Sequence, residues 1–145
     1  GTNTTPFTSH SELGYLVEPV SASWLVLATY GRPAPSIQLV KTAFDTDLTG
    51  AVRVTTGGSF RLATVDLYSS VTSIPYTLTG TLAGNPVFTA TGTVPNTFGN
   101  FATVTNPFPA ALIDTLIISV TNPATASCPT CAGNPVGIDN IVLWP

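Results

Sequence analysis

The sequence predicts an all-β protein, specifically a β-sandwich of the jelly-roll type with antiparallel sheets. Several stretches alternate between apolar and polar residues, which is the period of a strand. Clusters of Gly, Pro and Asn separate these stretches at short, regular intervals, as in sandwiches and barrels. Helix signals are nearly absent. We expect a loose polar arm over residues 1–10 and a single domain over residues 11–145, which is long enough to bury a core.

Strands are predicted where the sequence alternates or where β-branched residues run together. The clearest stretches are residues 59–67, 74–82, 113–120 and 138–144. A hairpin is predicted over residues 77–91, because the pair Gly84-Asn85 marks a tight turn between two alternating segments. We predict another turn at Gly57-Gly58, just before the first of these strands.

The alternation also assigns side chains to faces, since successive residues of a strand point to opposite sides. In the last strand, Asp139 shares a face with Ile141 and Leu143, while Trp144 lies on the other face. Asp66 similarly shares a face with the apolar residues of its own strand. An inward carboxylate needs hydrogen bonds, a counter-charge or a metal, because burying a bare charge is costly.

The composition argues against several classes of function. Only 8% of the residues are charged, the net charge is −3, and there is one histidine, His10. Nucleic-acid binding is not expected, because it needs clustered basic side chains and the four here are scattered. No apolar run is long enough to cross a bilayer as a helix. No motif of a hydrolase, metalloprotease or nucleotide-binding enzyme is present, so we expect a protein that is not an enzyme.

Two cysteines, Cys128 and Cys131, lie in a stretch rich in Pro, Ala and Gly. A structural zinc site needs four nitrogen or sulfur ligands, which this chain does not easily supply. We therefore predict a disulfide that staples this loop, with free thiols as the first alternative and a redox motif as the second. A disulfide indicates an oxidising, extracellular compartment.

Several segments together resemble the secreted bacterial β-sandwich domains of the galactose-binding-like, jelly-roll type. These segments are Gly14-Tyr15, Trp24, residues 31–37, residues 58–67 and residues 137–143. Many carbohydrate-binding modules have this fold, as do extracellular domains of proteins with PEP-CTERM-type sorting signals. The resemblance implies a secreted protein whose ligand is a polysaccharide or an oligosaccharide.

The resemblance also implies a structural Ca²⁺, which in such folds often involves an acidic residue that opens the final strand. Asp139 matches this position, and Glu12 is the first candidate for the early ligand, with Glu18 second. Calcium takes six to eight oxygen ligands, many of which are carbonyls and waters. The alternative is that Asp139 caps a turn by accepting backbone N–H bonds.

A domain that binds neutral sugars needs aromatic rings for the apolar sugar face and fixed polar groups for the hydroxyls. The candidate ligand-binding residues are Trp24, Tyr30, Arg32, Phe98 and Trp144. Trp24 stands in an apolar run, so a place in the core is its alternative. Trp144 has the alternative of a packing plug at the edge of the sandwich. Tyr30 and Arg32 have the alternative of ordinary surface-loop residues.

These observations predict a non-catalytic carbohydrate-binding module that binds a polysaccharide by aromatic stacking and hydroxyl hydrogen bonds. It is expected to be a monomer and an accessory domain of a larger secreted enzyme or surface protein. The alternative is an extracellular structural or adhesive β-sandwich without a sugar site, which binds partners through a Thr-rich sheet face.

Overall fold

The computed structural model describes residues 4–27, 36–40, 46–69, 72–95, 100–123 and 136–145. These ranges contain eleven β-strands and no helix, so nothing in them is a helix that would span a membrane. The strands are β1 (Thr4–Pro6), β2 (His10–Glu12), β3 (Tyr15–Ser21), β4 (Ser23–Leu27), β5 (Ser36–Val40), β6 (Leu48–Ser69), β7 (Ile74–Leu82), β8 (Asn85–Val94), β9 (Ala102–Thr105), β10 (Ile113–Asn122) and β11 (Val136–Trp144).

The long strand β6 belongs to two antiparallel sheets. Its second part, Arg61–Ser69, pairs with β11 and contains the segment that pairs with β9, which gives sheet A the order β1-β4-β5-β11-β6-β9. Its first part, Leu48–Phe60, pairs with β10 and contains the segment that pairs with β3, which gives sheet B the order β2-β3-β6-β10-β7-β8. The prediction of an all-β, antiparallel sandwich is confirmed.

One cluster of apolar side chains forms the core, to which strands of both sheets contribute. Phe60 and Leu62 stand where β6 passes from sheet B to sheet A, and neither is exposed to solvent. Ile118 of sheet B and Ile138 of sheet A belong to the same cluster. Burial of such side chains contributes about 1.5–3 kcal/mol each before entropy is counted. This burial explains why the alternating sequence forms strands here.

The N-terminal residues differ from the loose arm that the sequence predicts. Residues Thr4–Pro6 pair with β4, and Phe7 is only 6% exposed. The Phe7 backbone N–H donates to the Trp24 carbonyl oxygen at 2.8 Å. Phe7 is the reason for this difference, because burial of its ring attaches the otherwise polar segment to the core.

The structure confirms one predicted turn and corrects another. The β7–β8 hairpin turns between Leu82 and Asn85, with Ala83 and Gly84 at φ 51° and 81°. Two positive φ values are typical of tight hairpin turns. Gly57-Gly58, in contrast, lies inside β6 and interrupts its pairing without ending the strand.

Two irregularities in sheet A change the predicted faces. The pairing of β11 with β6 skips between Asp139 and Val142, where Asn140 has a φ of 45°. As a result Asp139 and Ile141 lie on opposite faces of the sheet. Ile141 packs against the core. A bulge adds a residue that breaks the two-residue period of the strand.

The matching irregularity in β6 lies near Ala63. Leu62 and Val65 are both fully buried although they are three residues apart, and the pairing shifts between them. Asp66 therefore does not share the inward face of Leu62, contrary to the sequence prediction. Both aspartates lie on the outer side of sheet A, opposite each other in the strand pairing.

Candidate functional site

The outer side of sheet A, where β11, β6 and β9 lie side by side, is the candidate functional site. We call it the Trp144 face. It consists of Arg61, Thr64, Asp66, Thr103, Thr105, Asp139, Asn140, Val142 and Trp144. The pairing of these three strands brings together residues that are up to 83 positions apart in sequence, from Arg61 to Trp144.

One end of the Trp144 face combines an exposed ring with a guanidinium group. Trp144 is 58% exposed, and its direct partner across the strands is Arg61. Arg61 Nη1 donates to the Pro145 carbonyl oxygen at 2.7 Å. Because a guanidinium has five N–H donors, this bond leaves donors for a ligand. Val142, 41% exposed, extends the apolar surface next to Trp144.

The other end of the face is a hydrogen-bonded polar group. The Thr103 hydroxyl donates to Asp66 Oδ1 at 2.7 Å, and the Asn140 side-chain amide donates to Asp66 Oδ2 at 3.0 Å. The left-handed backbone at Asn140 accompanies this contact, and Asn tolerates such a conformation better than most residues. Two bonds therefore hold the Asp66 carboxylate in place.

Asp139 stands across the strands from Asp66 and shares this polar end. Burial raises the pKa of Asp139 above its ordinary value of 3.8, and the nearby charge of Asp66 adds to the increase. A hydrogen bond with the Asn140 backbone lowers this pKa, but by less than burial raises it. Like charges directly opposite each other destabilise a strand pair. The polar end of the face therefore accommodates a hydrogen-bond donor or a cation better than an anion.

Trp24 does not lie on this surface, and its prediction as a ligand contact is corrected. Its ring is 2% exposed, and its indole N–H donates to the Ser21 carbonyl oxygen at 3.1 Å. The ring packs beside Gly50, where an added Cβ would collide with the Leu39 side chain and would lie only 3.1 Å from Trp24 Cζ2. A ring enclosed in this way cannot stack on a sugar, so Trp24 is a core residue.

Five other predicted residues lie outside the described residues. They are Tyr30, Arg32, Phe98, Cys128 and Cys131. The predicted ligand contacts of the first three and the predicted disulfide of the last two therefore stay predictions.

The two predicted calcium ligands are placed in different sheets. Glu12 lies in β2 of sheet B, where its carboxylate is 3.3 Å from the His10 ring nitrogen Nε2. Asp139 lies in sheet A, and the carboxylate across from it is that of Asp66. Within the described ranges, no three His, Cys, Asp or Glu side chains come together as a metal-binding group. Calcium at Asp139 stays a prediction, with Asp66 as the neighbouring carboxylate.

Sequence reasoning identified part of the Trp144 face and missed the rest. It singled out Trp144 and Asp139, but it placed Asp66 on an inward face and did not include Arg61 among the candidate ligand-binding residues. The Asn at position 140 is a sequence signal for the bulge, because Asn is among the residues that tolerate a left-handed backbone. The contribution of Thr103 depends on the β6–β9 pairing, for which the sequence has no signal.

Comparison with known proteins relates the chain to other molecules through its fold. No family model matches the sequence, and no curated protein matches it. Among solved structures, an arabinose-bound α-L-arabinofuranosidase of glycoside hydrolase family 51 superposes with a TM-score of 0.54 at 14% identity. The match covers 97% of this chain but only 24% of that enzyme. The chain thus shares an all-β fold with about a quarter of a carbohydrate-active enzyme.

Proposed function

We propose that this chain is a non-catalytic carbohydrate-binding domain that holds a polysaccharide on the Trp144 face. The observation that carries the proposal is the 58% exposure of Trp144 directly across from Arg61. More than half of the Trp144 residue is exposed, and Arg61 on the neighbouring strand supplies hydrogen-bond donors beside it.

The chemistry of the face suits a neutral sugar. An indole ring covers the apolar C–H side of a pyranose or furanose, and the guanidinium of Arg61 donates to hydroxyl oxygens. At the other end, the Asp66 carboxylate retains acceptor capacity for sugar hydroxyls beyond the two bonds from Thr103 and Asn140. Asp66 and Asp139 disfavour an anionic ligand, so the proposed substrate class is uncharged polysaccharide.

The structural neighbour supports this class of function. The α-L-arabinofuranosidase was solved with arabinose bound, and the chain corresponds in fold to about a quarter of it. We therefore propose that the chain serves as an accessory domain of a larger secreted protein, where it raises the local concentration of a polysaccharide. Tyr30, Arg32 and Phe98 remain proposed further contacts.

Affinity electrophoresis against a panel of neutral soluble polysaccharides tests the proposal. The native chain is expected to be retarded by at least one of them. Trp144→Ala is expected to weaken binding by about 30-fold, the effect of losing an aromatic hot spot of about 2 kcal/mol. The matched control is Val87→Ala, which shortens an exposed apolar side chain in β8 of sheet B. Equal retardation of native chain and Trp144→Ala would exclude this site.

The non-catalytic part of the proposal has a separate test. Asp66 and Asp139 are adjacent carboxylates, and a glycosidase needs such a pair. We expect no new reducing ends when the chain is incubated with the polysaccharides that retard it. Turnover that disappears in Asp66→Asn would contradict this expectation, because that substitution removes one of the two carboxylates.

The second candidate function is a structural or adhesive domain without a sugar site. The outer side of sheet B favours it, because Thr77 pairs with Thr91 and Thr79 pairs with Thr89 in a surface with few charges. Such a face suits broad contact with a partner surface. Absence of retardation by every polysaccharide would favour this second function.

A further inference from the structure

A groove in sheet B, whose lining residues are all different from those of the Trp144 face, is formed by an irregularity of β6. Thr115 pairs with Thr55, but Ile113 pairs with Phe60. The four residues 56–59 of β6 therefore stand opposite the single residue Asp114. Residues in such a bulge do not take part in the regular strand pairing, so their backbone N–H and C=O groups can bind other partners. The positive φ of Gly57, 76°, accompanies the bulge.

The groove is open and has a volume of about 490 Å³. Small-molecule sites occupy about 300–1,000 Å³, so a short oligosaccharide or a single sugar residue fits its size. Its walls are Thr55, Gly57, Gly58, Ser59, Leu82, Asp114 and Thr115. They combine hydroxyl groups and peptide backbone with one apolar side chain, Leu82, which is 36% exposed.

Two hydrogen bonds orient the Asp114 carboxylate at the groove. Its Oδ2 accepts the Ala83 backbone N–H at 2.9 Å, and its Oδ1 accepts the Thr115 hydroxyl at 3.2 Å. A carboxylate has about four acceptor positions, so acceptor capacity remains on both oxygens. Neither of the two arginines in the described residues lines the groove. Arg53 binds Glu18, and Arg61 belongs to the Trp144 face.

We propose that this groove is a second ligand site, which binds a neutral sugar residue through a vicinal diol. Two adjacent hydroxyls donate to the Asp114 carboxylate, and the apolar side of the sugar ring lies against Leu82. The exposed backbone of Gly57 and Gly58 allows close approach, since neither residue has a side chain. The proposal shares its ligand class with the proposed function, but its residues are separate from the Trp144 face.

Chemical-shift mapping with ¹⁵N-labelled chain tests the inference. A panel of neutral monosaccharides and disaccharides at millimolar concentration is expected to shift the backbone signals of Gly57, Gly58, Ser59 and Thr115. The same shifts are expected in the Trp144→Ala variant, because it lacks only the indole ring of the Trp144 face and keeps every residue of the groove. Absence of these shifts with every sugar would overturn the inference, as would shifts produced only by methylammonium, which would indicate a cation site.

Two variants locate the binding. Asp114→Asn is expected to weaken it by about tenfold, because charge-assisted hydrogen bonds become neutral ones. Gly58→Leu is expected to abolish it by filling the groove. A Cβ at Gly58 meets no atom within 4 Å and the residue has no positive φ, so this variant is expected to fold. Thermal melting checks both variants, and unchanged binding in folded Gly58→Leu would contradict the inference.

The outcomes separate this inference from the proposed function. Loss of polysaccharide retardation in Trp144→Ala together with persistent groove shifts supports both. Retardation that depends on Trp144 without any groove shifts contradicts the second site only. Groove shifts in a chain whose retardation does not depend on Trp144 contradict the proposed site only.

Discussion

The two tryptophans of the chain lie in the same sheet but in opposite environments. Trp24, in β4, is 2% exposed and donates its indole N–H to the Ser21 carbonyl oxygen. Trp144, in β11, is 58% exposed and faces the solvent beside Arg61. The same side chain therefore stabilises the fold at one position and is available to a ligand at the other. Whether an aromatic residue can bind a ligand therefore depends on the face of the sheet that it occupies, and not on its residue type.

The largest expected effect comes from removing the buried ring. Trp24→Ala should lower the free energy of unfolding by about 3–5 kcal/mol, because it leaves a cavity beside Leu39 and Gly50. Trp144→Ala should change it by no more than about 0.5 kcal/mol, as for most surface substitutions. Urea denaturation of both variants measures this. Similar losses of stability in the two variants would invalidate the comparison.

A second prediction concerns whether a metal stabilises the Asp139 end of the Trp144 face. If Ca²⁺ binds the native chain as the resemblance implies, EDTA should lower the melting temperature. At a calcium concentration 100 times the dissociation constant, binding adds about 2.7 kcal/mol. If Asp66 is the second calcium ligand, Asp66→Asn should abolish the effect of EDTA on the melting temperature. If Glu12 is the second ligand, Glu12→Gln should abolish that effect. An unchanged melting temperature and no bound metal by elemental analysis would remove Asp139 as a ligand.

The smallest expected effect concerns the ionisation of Asp139, measured in EDTA. Burial raises its pKa in the folded chain above 3.8. The native state therefore holds this proton more tightly than the unfolded state, and stability is lost as the pH rises through the folded pKa. Asp139→Asn cannot ionise, so it should be more stable than the native chain at neutral pH.

This advantage should disappear below about pH 3.8, where Asp139 is protonated in both states. Melting curves across this pH range measure the difference, with the exposed Glu12→Gln as the control. A variant that is less stable than the native chain at neutral pH would show that the ionised carboxylate is stabilised by a partner.

Much of the fold could be predicted from the sequence, because strand period and turn chemistry are local properties. The hairpin around Gly84 shows this, since its turn residues lie next to each other in the chain. The place of Phe7 in the core could not be predicted in the same way. Its polar neighbours indicate an exposed arm, and only the pairing of β1 with β4 brings the ring to the core.

The candidate site was predictable only in part. Trp144 and Asp139 stand out in the sequence as an aromatic and an acidic residue of one strand. Their association with Arg61, Asp66 and Thr103 depends on three strands that meet from distant parts of the chain. A sequence pattern contains no information on such register, so the polar partners of the face were missed.

The formation of strands, the position of the clearest hairpin and the low number of charges all follow from the sequence. Which side chains face solvent follows from the pairing of the strands. One extra residue at Asn140 and another near Ala63 each reverse the alternation, and together they move Asp139 and Asp66 from the predicted interior to the outer side of sheet A. A bulge is a mismatch in the pairing of two strands, so its position depends on both of them. The alternation of residues within one strand therefore does not predict where the bulge forms.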